Sequence, residues 1–236
     1  MRLSEAMIPA ALIRRYKRFL ADVRLQDERI ITVHCPNTGS MRNCVVEESP
    51  CWISDSCNDK RKYRHTLELV TTTTGHLASV NTGRANKLVA EALRESKFPA
   101  FAGYGNILPE QKYGEEGSRV DFLLEGHASG KPCYLEVKSV TLGETKGRGF
   151  FPDAVSERAS RHIRELLKVR ESGKRAALIF CVQHNGIDTV SPADHIDPQY
   201  GALLREAVSK GLEVQAWKCI VSPQEISIQS EVPVLL

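Results

Sequence analysis

Three charged side chains stand where strand cores are usually apolar. In "SRVDFLLEGHASGKPCYLEVKSVTL", residues 118–142, Asp121 precedes Phe122, and Glu136 and Lys138 flank Val137. Successive strand side chains point to opposite faces, so Leu135 and Val137 take one face and Glu136 and Lys138 the other. If the two runs are hairpin neighbours, Asp121 joins the pair on one face. Two converging carboxylates repel unless a cation lies between them. Mg²⁺ (or Mn²⁺) suits that role, because it is held by one or two carboxylates, waters and substrate phosphate. A lysine two residues beyond the second acid could orient or deprotonate a water and neutralise charge growing on a phosphate. The same D-x(14)-E-x-K spacing also fits a cross-strand ion pair of Lys138 with either acid on a solvated sheet face, and spacing alone leaves both readings open.

The surrounding pattern sets out the elements that must position these groups. After Asn81, "TGRANKLVAEALRES" places Ala85, Leu88, Val89, Ala92 and Leu93 on one helical face, with Thr82 as its N-cap. Strands are expected near 105–112, 118–125 and 132–141, then a helix over 154–172 whose apolar stripe runs through Val155, Ala159, Ile163 and Leu166 or Leu167. Pro152-Asp153 reads as its start, with Asp153 as N-cap. A continuous apolar strand over 175–183, a helix near 198–210 and a strand over 212–219 complete an α/β domain with a mixed sheet.

Residues 10–80 read differently. Five short β-rich runs, "ALIRRYKRFLADVRL", "RIITVHC", "CWISDSC", "YRHTLELVTTTT" and "HLASV", are broken by the turn signals "PNTGS" and "CNDK". That pattern suits a small OB-like β-barrel, and an SH3-like barrel would read alike. The expected division is therefore 1–80 for the barrel and 81–236 for the α/β domain. The 236 residues, 42% hydrophobic, suffice for two small cores.

Charge follows the same division. Residues 1–80 hold 12 Lys and Arg against 9 Asp and Glu, whereas residues 81–236 hold 20 of each. The excess concentrates in "RRYKRF" (Arg14, Arg15, Lys17, Arg18) and "KRKYRH" (Lys60, Arg61, Lys62, Arg64), where Tyr16, Phe19 and Tyr63 alternate with the cations. Cations meet phosphates and aromatic faces stack on bases, so the barrel is expected to bind DNA largely without regard to sequence. A solvated face with its aromatics turned inward is the competing reading. In the second half Lys146 and Arg148, in "GETKGRGF", and Arg158, Arg161 and His162, at helical spacing, could reach a phosphate backbone. That glycine-containing loop lacks P-loop spacing, which disfavours nucleotide hydrolysis. His34 and Cys35 are strand neighbours facing opposite ways, which excludes a Cys–His nucleophile pair. Pro36–Gly39 reads as a tight turn able to offer backbone N–H groups to a phosphate or to the other domain.

No apolar run approaches the roughly 20 residues of a membrane span, and the N-terminal stretch is too short and interrupted for a secretory signal. Seven cysteines without a C-x-x-C pair argue against a disulfide framework or structural zinc site. Both features suit a soluble cytoplasmic chain.

The order helix, three strands with D…ExK, helix and strand resembles the PD-(D/E)xK nuclease-like fold. The stretches "RRYKRFLADV", "HCPNTGSM", "KRKYRHTLEL", "VNTGRAN", "KYGEEGSRVDF", "YLEVKSVTL" and "FPDAVSERASRHIRELL" together resemble the sugar fermentation stimulation protein A family across nearly the whole chain. The resemblance implies an N-terminal OB-like domain, a C-terminal nuclease-like domain, nonspecific DNA binding and a regulatory role in sugar (maltose) metabolism. It implies that Asp121 and Glu136 coordinate metal and Lys138 is the catalytic lysine. Glu91 takes the place of the extra helical acid, with Glu110 competing for that role. The proline that names the motif is Val120 here. All three charged positions are present, so Mg²⁺-dependent DNA cleavage is the alternative to a purely regulatory role.

Overall fold

The computed structural model describes residues 7–114 and 117–236. The first six residues of the N-terminal stretch read against a signal sequence, and Glu115 and Glu116 of the "KYGEEGSRVDF" stretch, lie outside the described residues.

The N-terminal chain forms β1 (Ile8–Tyr16), β2 (Leu20–Leu25), β3 (Ile30–His34), β4 (Ser49–Asp55), β5 (His65–Thr71) and β6 (Leu77–Ser79). Strand pairing runs β3-β2-β1-β4-β5, and β3 meets β5 in parallel at His34 and Thr66, so five strands close into an OB barrel with β6 appended to β5. Closure removes the free edges that an open sheet of such short strands would expose. The first run of the sequence pattern divides into β1 and β2. Lys17 and Arg18, at φ of 49° and 64°, sit between them. Such a pair of left-handed residues matches the twist of a tight hairpin. Leu12, Val23, Val33, Ile53 and Leu67 fill the barrel interior.

The second half begins with α1 (Gly83–Arg94), whose buried residues include every position of the expected apolar face. Then follow β7 (Asn106–Tyr113), β8 (Ser118–Glu125), β9 (Cys133–Val140), the short β10 (Leu142–Gly143) and β11 (Arg148–Phe151), α2 (Glu157–Glu171), β12 (Arg175–Val182), β13 (Thr189–Pro192), α3 (Pro198–Ser209), β14 (Glu213–Val221) and β15 (Ile226–Val232). The main sheet has the order β15-β14-β12-β9-β8-β7, with a separate β10-β11-β13 sheet. Strands β9, β12 and β14 are parallel and the outer strands antiparallel, so the sheet is mixed. Parallel strands are covered on both faces. Here Leu135 and Val137 pack in the core with α1, while Leu178 and Phe180 pack in the core with α2 and α3.

Two helix starts differ from the sequence reading. α2 begins at Glu157, its N-cap being Ser156, whose side chain accepts from the Ala159 N–H at 3.2 Å. Asp153 instead accepts from the Met41 N–H of the barrel at 3.1 Å. Thr82 occupies the N-cap position of α1 without a side-chain capping bond, and its hydroxyl lies 3.4 Å from the Pro36 carbonyl. Both groups are therefore spent on joining the halves.

The junction has further components. The Ser79 N–H donates to the Gln183 carbonyl at 2.9 Å and the Asn185 N–H to the Leu77 carbonyl at 3.0 Å, so β6 extends onto the segment after β12. Asn43 Nδ2 donates to the Gly143 carbonyl at 3.0 Å. Glu68, 3% exposed in the barrel, accepts from Arg84 of α1 at 2.6 Å, from Asn81 at 3.0 Å and from Ser54 at 2.7 Å. No helix among the described residues is long and apolar enough to cross a membrane.

Removing one partner of a buried ion pair leaves an uncompensated charge, which costs more than the pair contributes. Arg84→Leu should therefore lower stability by about 3 kcal/mol, read as a lower urea midpoint. Adding Glu68→Gln should restore part of the loss. An unchanged midpoint would show that this pair does not fasten α1 to the barrel.

Candidate active site

β8 and β9 separate at the site. Their ladder comprises Leu124↔Cys133, Leu123↔Tyr134 and Phe122↔Leu135 and goes no further. The Val137 N–H donates to Asp121 Oδ2 at 2.7 Å, so a carboxylate stands between the diverging strands. Its other oxygen accepts from Asn86 Nδ2 of α1 at 2.7 Å. Asp121 thus occupies the fork between the strands, with each oxygen held by a named donor.

Glu136 and Lys138 follow the alternation. Glu136 is 2% exposed, and Lys138 Nζ donates to its Oε1 at 2.7 Å. The ion pair that spacing allowed is therefore present. The same oxygen contacts His162 Nδ1 of α2, which lies 3.3 Å from Lys138 Nζ. A carboxylate only accepts, which assigns the proton to Nδ1. Glu136 Oε2 is buried without a hydrogen-bond partner. Burial opposes charge on Glu136, but Lys138 and His162 hold its carboxyl below the ordinary value. Burial first, and then the Glu136 charge, push Asp121 up to about 6, against the Val137 and Asn86 bonds that favour its ionised form. Such opposite shifts in neighbouring acids are common at functional sites.

An orphaned buried carboxylate oxygen beside a second, charge-repelled carboxyl fits a divalent cation, which would satisfy both. Among the described residues no three His, Cys, Asp or Glu side chains form a ready-made metal cluster. The two acids would therefore leave much of an ion's shell to water and substrate oxygens.

Three cavities surround this centre. Arg18, Asn37, Asn86, Lys138, Val155 and Arg158 are among the lining of a cavity of about 350 Å³ between the barrel and the second half. A second, of about 370 Å³, is bordered by Glu110, Arg119, Asp121, Arg158, Arg161 and His162. A third, of about 200 Å³, has Asn86, Lys87, Glu110 and Asp121 in its wall. Arg158, Asp121 and Asn86 each border two of them.

Of the residues singled out in the sequence, Asp121, Glu136, Lys138, Arg158, Arg161, His162 and Arg18 gather around this centre. Arg161 Nε is buried without a partner. His162 is 5% exposed and engaged with Glu136, not a free surface histidine. Glu91 is half-buried and lines neither cavity that Asp121 lines. It follows Asn86 by five residues, about 140° around the helix, so Asn86 takes the place beside Asp121. Glu110 lies nearer: it falls between Pro109↔Phe122 and Gln111↔Val120, opposite Asp121, with a left-handed φ of 53°. Such strain at a non-glycine residue commonly marks a functional position. Lys146 and Arg148 line none of the three cavities, and Arg148 lies over the Phe150 ring at 5.8 Å.

The barrel cations divide as well. Arg14 pairs with Asp22 at 2.8 Å, and Arg64 with Asp55 at 2.7 Å. Arg15 donates to the carbonyls of Arg18, Asn37, Gly39 and Ser40, and Arg18 donates to that of Thr38 at 2.7 Å. Arg15 therefore builds the Pro36–Ser40 loop instead of facing solvent. Arg61 borders a separate cavity of about 500 Å³ with His34, Arg84 and Lys87. Lys17, Lys60 and Lys62 are exposed and form no ion pair among the described residues. Tyr16 donates to Asp22 at 3.0 Å, whereas Phe19 is 44% exposed. Asn86 is the functional candidate that side-chain type did not flag; it lies in the "VNTGRAN" stretch that carried the family resemblance.

Comparison with known proteins agrees with this architecture. A family model described as the sugar fermentation stimulation protein RE domain matches residues 83–225, and one described as the SfsA N-terminal OB domain matches 13–80. A sugar fermentation stimulation protein homolog of Teredinibacter turnerae is 59% identical over 230 residues, covering 98% of this chain and 97% of its own. A homolog of the same name from Saccharophagus degradans is 57% identical over 220 residues, covering 92% of each chain. The solved structure of Pyrococcus furiosus SfsA in complex with Ca²⁺ superposes with a TM-score of 0.89 at 29% identity, covering 100% of this chain and 98% of that one.

The carboxyl carbon of Asp121 should titrate near pH 6 in metal-free protein, followed by carbon-detected NMR. Glu136→Gln should lower that midpoint by removing the repelling charge. An unchanged midpoint in Glu136→Gln would show that the two acids do not sense each other.

Proposed function

The chain belongs to the sugar fermentation stimulation protein family, and from that premise we propose that it is a sequence-independent DNA-binding protein whose second half is a Mg²⁺-dependent (or Mn²⁺-dependent) nuclease site. The observation that carries this reading is the buried Glu136 Oε2, left without a hydrogen-bond partner beside a second carboxyl. The Ca²⁺ complex of the Pyrococcus furiosus relative supports a divalent ion in this fold.

Asp121 and Glu136 would hold the ion, and Glu110 stands opposite Asp121 on β7. When bound, a divalent ion supplies Lewis-acid polarisation of a phosphodiester and a lowered pKa for water. Lys138 offers an ammonium group to position the attacking water and to offset charge on the phosphate. Arg158 and Arg161 draw the DNA backbone to the cavities bordered by Lys138 and Asp121. His162 fixes Glu136 from the α2 side and so orients the carboxylate. In the barrel, residues 1–80, the exposed Lys17, Lys60 and Lys62 together with Arg61 hold the backbone. The second half, residues 81–236, has no net charge of its own with which to attract DNA.

A second reading keeps DNA binding and a regulatory role in sugar metabolism without turnover. The observation favouring it is the Lys138–Glu136 ion pair, which engages the lysine. Two measurements separate the readings. Asp121→Ala should abolish divalent binding in calorimetry with the fold retained, and Lys138→Ala should slow Mg²⁺- or Mn²⁺-dependent cleavage of saturating DNA about 100-fold or more. DNA binding without cleavage of single-stranded, duplex or branched DNA would establish the second reading. Binding should also fall with salt at a slope of about −0.9 per duplex phosphate neutralised. Lys17→Glu should flatten that slope, whereas Arg15→Glu would dismantle a loop.

A further inference from the structure

Val155 is 76% exposed, although the sequence pattern assigns it to a buried helical stripe. It stands just ahead of α2 in the wall of the 350 Å³ cavity, where Leu142, Phe151, Pro152 and Ala159 add apolar surface. Lys138, Arg158 and, from the barrel, Arg18 border the same space. The one acid there, Asp153, already accepts from the Met41 N–H and lies 3.4 Å from the Ser40 hydroxyl. The cavity therefore joins an exposed apolar surface to three cations. Its barrel wall, Asn37–Gly39, is pinned by Arg15 and Arg18, and a Cβ on Gly39 would sit 2.4 Å from an Asp153 oxygen. The wall does not have room to shift towards α2.

Size and chemistry select the occupant. A cavity of about 350 Å³ is at the small end of pockets that enclose single small molecules, and a duplex, whose major groove alone is roughly 12 Å wide, cannot enter it whole. An intact duplex keeps its base faces stacked inside and offers sugar, phosphate and base edges recessed in its grooves, so no flat apolar face reaches Val155 within the cavity. An unpaired nucleotide offers both an apolar base face and a phosphate. Phe19, 44% exposed and adjacent to Arg18 on the hairpin turn, provides an aromatic surface for a neighbouring base.

We infer that this cavity receives one unpaired nucleotide of a single DNA strand, its base against Val155 and Phe151 and its phosphate among Arg18, Lys138 and Arg158. The inference rests on the reading of the second half as a DNA-binding, nuclease-like site, and it specifies the substrate as a single strand or a frayed end.

The test is fluorescence anisotropy in Ca²⁺ with a labelled single strand, the blunt duplex of the same sequence and a duplex carrying an overhang. Val155 is exposed, so Val155→Ser and Val155→Leu should both fold. Val155→Ser should weaken the single strand and the overhang about ten-fold and leave the blunt duplex unchanged, while Val155→Leu retains wild-type binding. Equal weakening on blunt duplex, or no change on single strand, would overturn the inference. Calorimetry with Ca²⁺ and cleavage in Mg²⁺ are read on the same proteins. If both are absent while the Val155 effect persists, the nuclease reading falls and the nucleotide pocket stands.

Discussion

A carboxylate buried in the middle of a sheet is the constraint around which this molecule is organised. Glu136 is 2% exposed on β9, with parallel β12 beside it and α2 above it. Isolated charge in such a place would be neutralised, so ionisation of Glu136 depends on what surrounds it. Lys138 supplies a cation from the same strand face and His162 supplies a second donor from α2, which fixes the distance and rotation of that helix against the sheet. Asp121 completes the arrangement by interrupting the β8–β9 ladder. Its carboxyl is pushed above its unfolded value, so its contribution favours the fold at low pH and is lost as pH rises through about 6. The site holds one acid charged at the expense of the other.

The barrel contributes to the same centre by a different route. Arg15 and Arg18 collect the carbonyls of the Pro36–Ser40 loop, and Asp153 takes the Met41 N–H just beyond it. The loop, whose sequence offered backbone N–H groups either to a phosphate or to the other domain, thus leads at its end into a bond to a carboxylate of the neighbouring half. Arg15 is taken up in building the wall of the cleft, whereas Arg18 both ties the loop and borders the cavity, and Lys17, Lys60 and Lys62 stand exposed on the barrel.

Much of this was legible in the residues. The change of period after Asn81, the apolar face of α1 and the alternation about Val137 located the two folds and brought Glu136 and Lys138 to one face. Asp121 was legible as a candidate but not in its position, because alternation describes a continuous strand and cannot report a fork between strands. Glu91 drew attention as an acid on the preceding helix, whereas the group that reaches Asp121 is the neutral Asn86. Residue type indicated charge, and the helical angle decided contact. Asp153 and Val155 misled for a related reason: one fitted an N-cap and the other the apolar stripe of the helix, but Asp153 bonds the barrel and α2 begins only at Glu157, leaving Val155 ahead of it.

The seam between the halves bears on how a polymer can be handled. β6 shares backbone bonds with the segment after β12, and the buried Glu68 ties α1 to the barrel. A hinge at this seam would have to break ladder bonds and expose a charge at once, so the two jaws behave mechanically as one stiff clamp. Under the proposed DNA-binding role, compliance would then have to come from the nucleic acid. Sites that bend or melt cheaply, such as ends, nicks and pyrimidine–purine steps, would then be entered preferentially. Such a clamp would sort DNA by its softness.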